Sequence, residues 1–381
     1  MQHEDSESRN MTIEQGARLV DRATGCFLGA LLGDALGTRT EGLEPAIIKE
    51  RFGWVDRFEQ GSGGTDDTFV KDMLAQVLIA TDGEARSRDW AAAWRQRADA
   101  ILSPGFRNKF FISILQTTYK LRLGVDATVA SAGNLPSSTA AMAIAPVGVV
   151  NAGHPRAAAA QAWELASLLH PPEVAFCRDA AAIVAAVVSE AAAGSASPDA
   201  AIDLGLRSLW STHDGATLVA LATSAVALAE SSDSYDAFRT AYHGSFRQDI
   251  LCDSRETVPA ALALVVLARG DLATALPYAA NFGRDTDTIG AIVGAICGAL
   301  QGCSALPAKW LSLLPPEAVQ EERRLANELV EAHWRKASRE VAAWSRTRKE
   351  IRSSETGHDT AATDEPTALN ESATWPPDPY P

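Results

Sequence analysis

Two short motifs, Thr65-Asp66-Asp67-Thr68 and Asp285-Thr286-Asp287-Thr288, each stand at the start of a helical stretch, the second otherwise almost bare of charge. Either motif alone reads as a helix cap, whose side-chain oxygen accepts hydrogen bonds from free backbone N–H groups and contributes about 1 kcal/mol. Capping does not account for both motifs together with Asp34 and Glu41, because several carboxylates buried near one another need protons or cations to neutralise them. Lysine and arginine are scarce around the motifs, Lys71 and Arg284 being the ones close in sequence. Hard divalent cations take carboxylate, hydroxyl and water oxygens, so an Asp/Thr-rich pocket is a ligand set for Mg²⁺ or Mn²⁺. Two ions sharing one aspartate would form a two-metal hydrolytic centre.

The elements that must position these residues carry their own signature. Gly25, Gly29, Gly33 and Gly37 recur at every fourth position, as do Gly290, Gly294, Gly298 and Gly302. At that spacing each set lines one face of a helix. A glycine inside a helix costs roughly 1 kcal/mol against alanine, so four in a row need a compensating gain. Close backbone approach is that gain, and two such rows predict that the two helices pack against each other. Asp34 lies within the first glycine helix, and Glu41 follows just after it.

The whole chain of 381 residues is 46% hydrophobic, which is ample for a large core. Its net charge of −14 argues against a nucleic-acid surface, because phosphate binding needs clustered Lys and Arg. Five scattered cysteines with no CxxC pair point to buried reduced thiols in a cytoplasmic protein. No basic-then-apolar leader opens the sequence, and no apolar run approaches the roughly 20 residues of a membrane span, so no membrane partner is expected. Apolar residues recur at helical spacing nearly throughout, with Gly and Pro clusters as punctuation and few strand signals. The expected architecture is all-α: a disordered N-terminus over 1–12, one compact multi-helix domain over 13–352, and a disordered acidic, proline-rich tail over 353–381. The last long helix carries an inward stripe of Leu325, Leu329, Trp334, Val341 and Trp344.

The stretches GALLGDALGTRTEG, GGTDDT and GRDTDTIGAIVGAICGA, in that order, resemble the ADP-ribosylglycohydrolase family from about Thr24 to Trp310. That family includes bacterial enzymes that remove ADP-ribose from dinitrogenase reductase and animal enzymes that release it from arginine or serine. The resemblance implies an all-α fold with a binuclear Mg²⁺ or Mn²⁺ centre. Its metal motifs fall on Thr65, Asp66 and Asp67 and on Asp285, Asp287 and Thr288. Glu41 matches an acidic residue beside the metals and the scissile ribose, and Asp34 the aspartate of the glycine-aspartate motif, which reads as orienting the ligands or as structural. Glu41, Asp66 and Asp285 are the candidates for the catalytic base.

One departure bears on the substrate. Relatives carry a glycine-asparagine-glycine stretch leading into alanine-methionine-arginine on a substrate-contacting loop; here LPSSTAAMAIAPVG stands in its place. Ser137, Ser138 and Thr139 replace the glycine-rich part as candidate substrate contacts, and Ala143 stands where the arginine would be. Arg284 reads either as a partner of a metal-site aspartate or as a substrate contact, and His170 as a helix-terminating or core histidine. Phe110, Phe111 and Tyr119 read as core aromatics rather than as a base-stacking platform. The expected activity is hydrolysis at the anomeric carbon of a ribose in an ADP-ribosylated protein or ADP-ribose conjugate. A nucleoside or other small riboside is the alternative substrate, and a non-catalytic, crystallin-like role the alternative to enzymatic function.

Overall fold

In the computed structural model, which describes residues 2–57, 60–195, 197–209 and 213–356, the described residues form helices and turns and no strand. The first helices are α1 (Gln2–Gly37), α2 (Pro45–Phe52), α3 (Asp66–Ala80), α4 (Ser87–Ile101) and α5 (Ile112–Arg122). A middle group holds α6 (Thr139–Ala143), α7 (Ala145–Val150), α8 (Pro155–Ala166), α9 (Phe176–Ala193), α10 (Pro198–Arg207) and α11 (His213–Ser231). The remainder are α12 (Tyr235–Phe246), α13 (Ser254–Leu267), α14 (Leu272–Ala280), α15 (Thr286–Gln301), α16 (Ala308–Leu311) and α17 (Pro316–Thr356). The chain divides into two units, residues 1–336 and 337–381, and the first contains every residue considered for the site. Helix α1 begins at Gln2, within the segment 1–12 set apart by composition. Of the tail expected over 353–381, residues 357–381 lie outside the described residues.

The two glycine rows meet as their spacing predicts. Helices α1 and α15 run antiparallel, so Gly25 faces Gly298, Gly29 faces Gly294 and Gly33 faces Gly290. A β-carbon on Gly29 would overlap the carbonyl oxygen of Gly294, and one on Gly33 that of Gly290. Only glycine permits this approach, which brings Cα–H groups against carbonyls across the pair. At its far end the contact reaches Gly37, opposite Thr286 and Asp287.

Around this pair the core is built from helices apolar on nearly every face. Helix α9 buries fifteen of its residues, from Cys177 to Ala192, mostly alanine and valine. Helix α13 is as fully enclosed, from Ser254 to Val266. One buried ion cluster ties α3 to α17: Lys71 Nζ lies 2.6 Å from Glu322 Oε2 and 2.5 Å from Asp72 Oδ1. The ammonium also sits 4.4 Å from the centre of the Phe27 ring. Along α17, Leu325 and Leu329 are buried as expected, but the stripe does not continue inward. Trp334 is 44% exposed, and in the second unit Val341 and Trp344 are 67% and 74% exposed. That unit offers no other described element against which to bury them.

Gly29→Ala should lower stability by about 3 kcal/mol, since overpacking against backbone outweighs the ~1 kcal/mol helix-propensity gain. Gly16→Ala, in the same helix with nothing within 4 Å of the added carbon, should be neutral or slightly stabilising. Urea unfolding of both variants checks the pair, and equal effects would refute the close-contact argument.

Candidate metal centre

The α1–α15 contact delivers the first carboxylates to the second motif. Thr286 Oγ1 donates to the Gly37 carbonyl at 2.9 Å, and Thr40 Oγ1 bonds the Ala280 carbonyl and Thr286 Oγ1. The turn after α1 then pairs with the strained entry to α15, where Arg284 has φ +66°. Gly42 N donates to the Arg284 carbonyl and Arg284 N to the Leu43 carbonyl, each at 2.8 Å. Glu41 is thereby held opposite Asp285 and Asp287, with one carboxylate oxygen from each residue within 4.8 Å of the others. Asp285 stands at the N-cap of α15 but makes no capping bond; its carboxylate lines the cavity instead and accepts from Ser138 Oγ.

Asp34 fixes the other motif. Its Oδ2 accepts from Thr65 N at 2.8 Å, Thr68 N at 3.1 Å and Thr68 Oγ1 at 2.5 Å. Thr65 in turn caps α3 through Asp67 N at 3.3 Å, so the capping reading holds here. With the loop secured, Asp66 and Asp67 project into a chamber of about 190 Å³ also lined by Glu41, Asp285, Asp287 and Thr288. Glu41 and Asp66 border a second, outer cleft of about 600 Å³ as well.

Burial sets the electrostatics of this chamber. Loss of water, with the neighbouring Asp34 charge, pushes Asp66 up to about 8. Burial likewise lifts Asp285 to about 7, opposed by hydrogen bonds from Asp287 and Ser138 and aided by Glu41. Asp67 and Asp287 are raised well above the usual carboxylate range, again first by burial and then by neighbouring carboxylates. The nearby cations do not relieve this. Lys71 is consumed by Glu322 and Asp72, while Arg284 gives its guanidinium to Glu256 at 2.6 Å and the Gln248 carbonyl at 2.6 Å. Lys109, exposed at the rim, is the one basic residue among those lining the chamber, against five carboxylates. Asp67 Oδ1 and Asp34 Oδ1 are buried with no hydrogen-bond partner. Clustered, desolvated, unpaired oxygens of this kind fit divalent cations.

The other expected residues divide. Thr65 lines the outer cleft. Ser138 and Thr139 line the chamber; Ser138 Oγ donates to Asp285 Oδ2 at 3.1 Å. Ser137 lines neither cavity, its hydroxyl lying 2.8 Å from Thr139 Oγ1. Arg284 lines neither as well, and its bonds to Glu256 turn it from both expected roles. Phe110 packs with Phe69 and Phe106 and, with Phe111, also forms part of the chamber wall. His170 sits fully buried behind α6, where Nε2 accepts from Ala140 N at 3.4 Å and burial lowers its pKa to about 3. Sequence reasoning missed Asn108 and Lys109, which border both cavities, and Leu251 and Cys252, which close the chamber. The basic-aromatic run FRNKFF was the available signal for the first two.

The sequence profile described as ADP-ribosylglycohydrolase matches residues 15–339. Among curated proteins, the chain is 29% identical over 318 residues to uncharacterized protein YegU of Escherichia coli (strain K12), covering 75% of this chain and 89% of that protein. Among solved structures, an ADP-ribosylglycohydrolase-related protein complex superposes with a TM-score of 0.61 at 23% identity, covering 83% of this chain and 99% of the other. The profile match takes in both acidic motifs and both glycine rows, the parts that build the chamber, and on that ground the chain belongs to the ADP-ribosylglycohydrolase family.

Proposed function

We propose that the protein is a divalent-metal-dependent glycohydrolase that cleaves the bond at the anomeric carbon of a ribose in an ADP-ribosylated protein or ADP-ribose conjugate. The observation that carries this reading is the convergence of Glu41, Asp66, Asp67, Asp285 and Asp287 on one chamber whose nearest buried cations are spent elsewhere. Thr65, Asp66, Asp67, Asp285, Asp287 and Thr288 would hold two Mg²⁺ or Mn²⁺ ions. Bound there, the ions supply Lewis-acid charge that favours ribose hydroxyls and lowers the pKa of a water.

The chain's own residues do the rest. Glu41 and Asp66 border both chamber and cleft, so a ribose seated between the cavities meets them first. One of the two takes the proton of the attacking water as the oxocarbenium-like centre develops. Asp285, enclosed and held by Ser138, is the alternative base. The water oxygen bonds to the anomeric carbon, the bond to the leaving nitrogen or oxygen breaks, and the proton passes to the leaving atom. Phe110, Phe111, Met142, Leu251 and Cys252 form the apolar part of the wall and limit bulk water. One observation favours a smaller riboside as the second reading. The hydroxyls of Ser137 and Ser138 are engaged by Thr139 and Asp285, and Ala143 is fully buried, so this loop offers a diphosphate little.

In a mass-spectrometric time course with Mg²⁺, ADP-ribosyl-arginine, ADP-ribosyl-serine or O-acetyl-ADP-ribose should release ADP-ribose. Asp287→Ala should cut that rate by about 10³-fold or more. Release of ribose from free nucleosides alone would select the second reading, and no turnover of any substrate would refute both.

Without metal, stability should depend on pH with a definite sign. The raised carboxylates keep protons in the folded chain that the unfolded chain has already released, so stability falls as pH rises from about 5 to about 8. Thermal melts in EDTA should show the fall, and saturating Mg²⁺ should abolish it.

Asp34→Asn should raise the half-saturating Mg²⁺ concentration by about 10- to 100-fold while the helical content is kept, because the loop loses its charged anchor. An unchanged Mg²⁺ titration would leave Asp34 without a positioning role.

A further inference from the structure

The outer cleft, unlike the chamber, sets as many basic side chains as carboxylates in its lining. Arg39, in the turn after α1, and Lys109, in the 3-10 turn Arg107–Lys109, both line it. Neither makes an ion pair among the described residues, in a chain whose net charge is −14. Each is instead braced on an aromatic ring. The Arg39 guanidinium carbon lies 4.5 Å from the centre of Phe52, and Lys109 Nζ lies 5.3 Å from that of Phe106. Such stacking holds a cation in place while leaving its N–H donors free.

The cleft is also lined by Ser62, Gly63 and Gly64, whose backbone N–H groups have no acceptor among the described residues. At Gly64 a β-carbon would overlap the Thr68 side chain and approach Asp34 Oδ2 within 2.8 Å, so the backbone itself forms the surface there. The carboxylates bordering the cleft are Glu41 and Asp66, both on the chamber side.

We propose that Arg39 and Lys109 form an anion-binding subsite in the outer cleft that receives a phosphate or carboxylate of the substrate while its ribose is held at the chamber mouth. The inference builds on the glycohydrolase reading and sharpens it. Two donors with formal charge, joined by free backbone N–H groups, suit an anion with several acceptor oxygens. The subsite also supplies positive charge that the Ser137–Ala143 loop lacks. A substrate that carries an anion is therefore favoured, and a cationic group seated against this wall is disfavoured. The anion has two chemical sources: the diphosphate of an ADP-ribosyl unit, or an acidic leaving group on the anomeric carbon.

Calorimetric titration of the Mg²⁺-supplied protein tests this without requiring turnover. The probes are ADP-ribose, which carries only the diphosphate, and ribose 1-phosphate, whose anion is at the anomeric carbon. Both residues are exposed, so Arg39→Gln/Lys109→Gln should fold, and its stabilisation by Mg²⁺ should match that of the wild type. The Kd of at least one probe should rise about tenfold or more in this variant. Arg39→Lys/Lys109→Arg, which keeps both charges, should retain most of the affinity. Weakening of ADP-ribose assigns the subsite to the diphosphate, and weakening of ribose 1-phosphate alone assigns it to the leaving group. Unchanged Kd values for both probes, or a wild type that binds neither, would overturn the inference. Neither result touches the glycohydrolase reading, which is judged on turnover and on Asp287→Ala.

Discussion

The backbone contact between α1 and α15 is the constraint on which the site depends. A carboxylate cluster repels itself, and its own side chains cannot hold it together in the absence of cations. The helices that carry it must therefore be fixed by something indifferent to charge. Facing glycine rows do this, because their contact is made of backbone atoms and tolerates no sliding by a fraction of a turn. The register that matches Gly33 to Gly290 also matches Gly37 to Thr286, and so sets Glu41 against Asp285 and Asp287. A residue with a side chain anywhere along the row would separate the helices and widen the chamber.

Charge is distributed with the same economy. The positive groups nearest the motifs in sequence are bound to carboxylates outside the chamber: Lys71 to Glu322 and Asp72, Arg284 to Glu256. These buried pairs satisfy their own partners and anchor α3 and the entry to α15, so they secure the elements that carry the ligands. Had either cation turned inward, it would have neutralised the aspartates and left less affinity for a metal. The mutual repulsion of the unneutralised cluster is thus built in. Under the proposed function, that repulsion is what favours divalent ions.

Much of this was legible before any coordinates. Glycine at every fourth position has few physical meanings in a helix of a globular protein, and the two rows predicted their own pairing. The two Asp/Thr motifs, with too few basic residues near them, predicted an acidic site, and Glu41, Asp285 and Asp287 do converge. What failed to show was direction. Nothing in the spacing of Arg284 reveals that its left-handed backbone points the guanidinium to Glu256, and nothing in Ser137 shows that its hydroxyl turns to Thr139. Lys109 and Asn108 were missed for another reason, although the run FRNKFF marked their segment. They lie on a short turn between α4 and α5, where no periodicity fixes which face a side chain takes. The stripe on α17 was carried too far because helical periodicity marks a face and does not say how far a partner extends along it.

The two cavities together explain why the exposed residues matter as much as the buried ones. A chamber of about 190 Å³ admits a sugar and little more, so any discrimination between large substrates must occur in the cleft of about 600 Å³ outside it. Under the proposed function, the chamber's carboxylates are constrained by metal chemistry, and replacing one removes the reaction. Arg39 and Lys109 carry no such burden: each rests on an aromatic ring and each is replaceable without disturbing the core. Substrate preference can therefore change in the cleft while the chamber stays fixed. Alanine at position 143, where the family resemblance leads one to expect an arginine, together with Arg39 and Lys109 in the cleft, fits such a change.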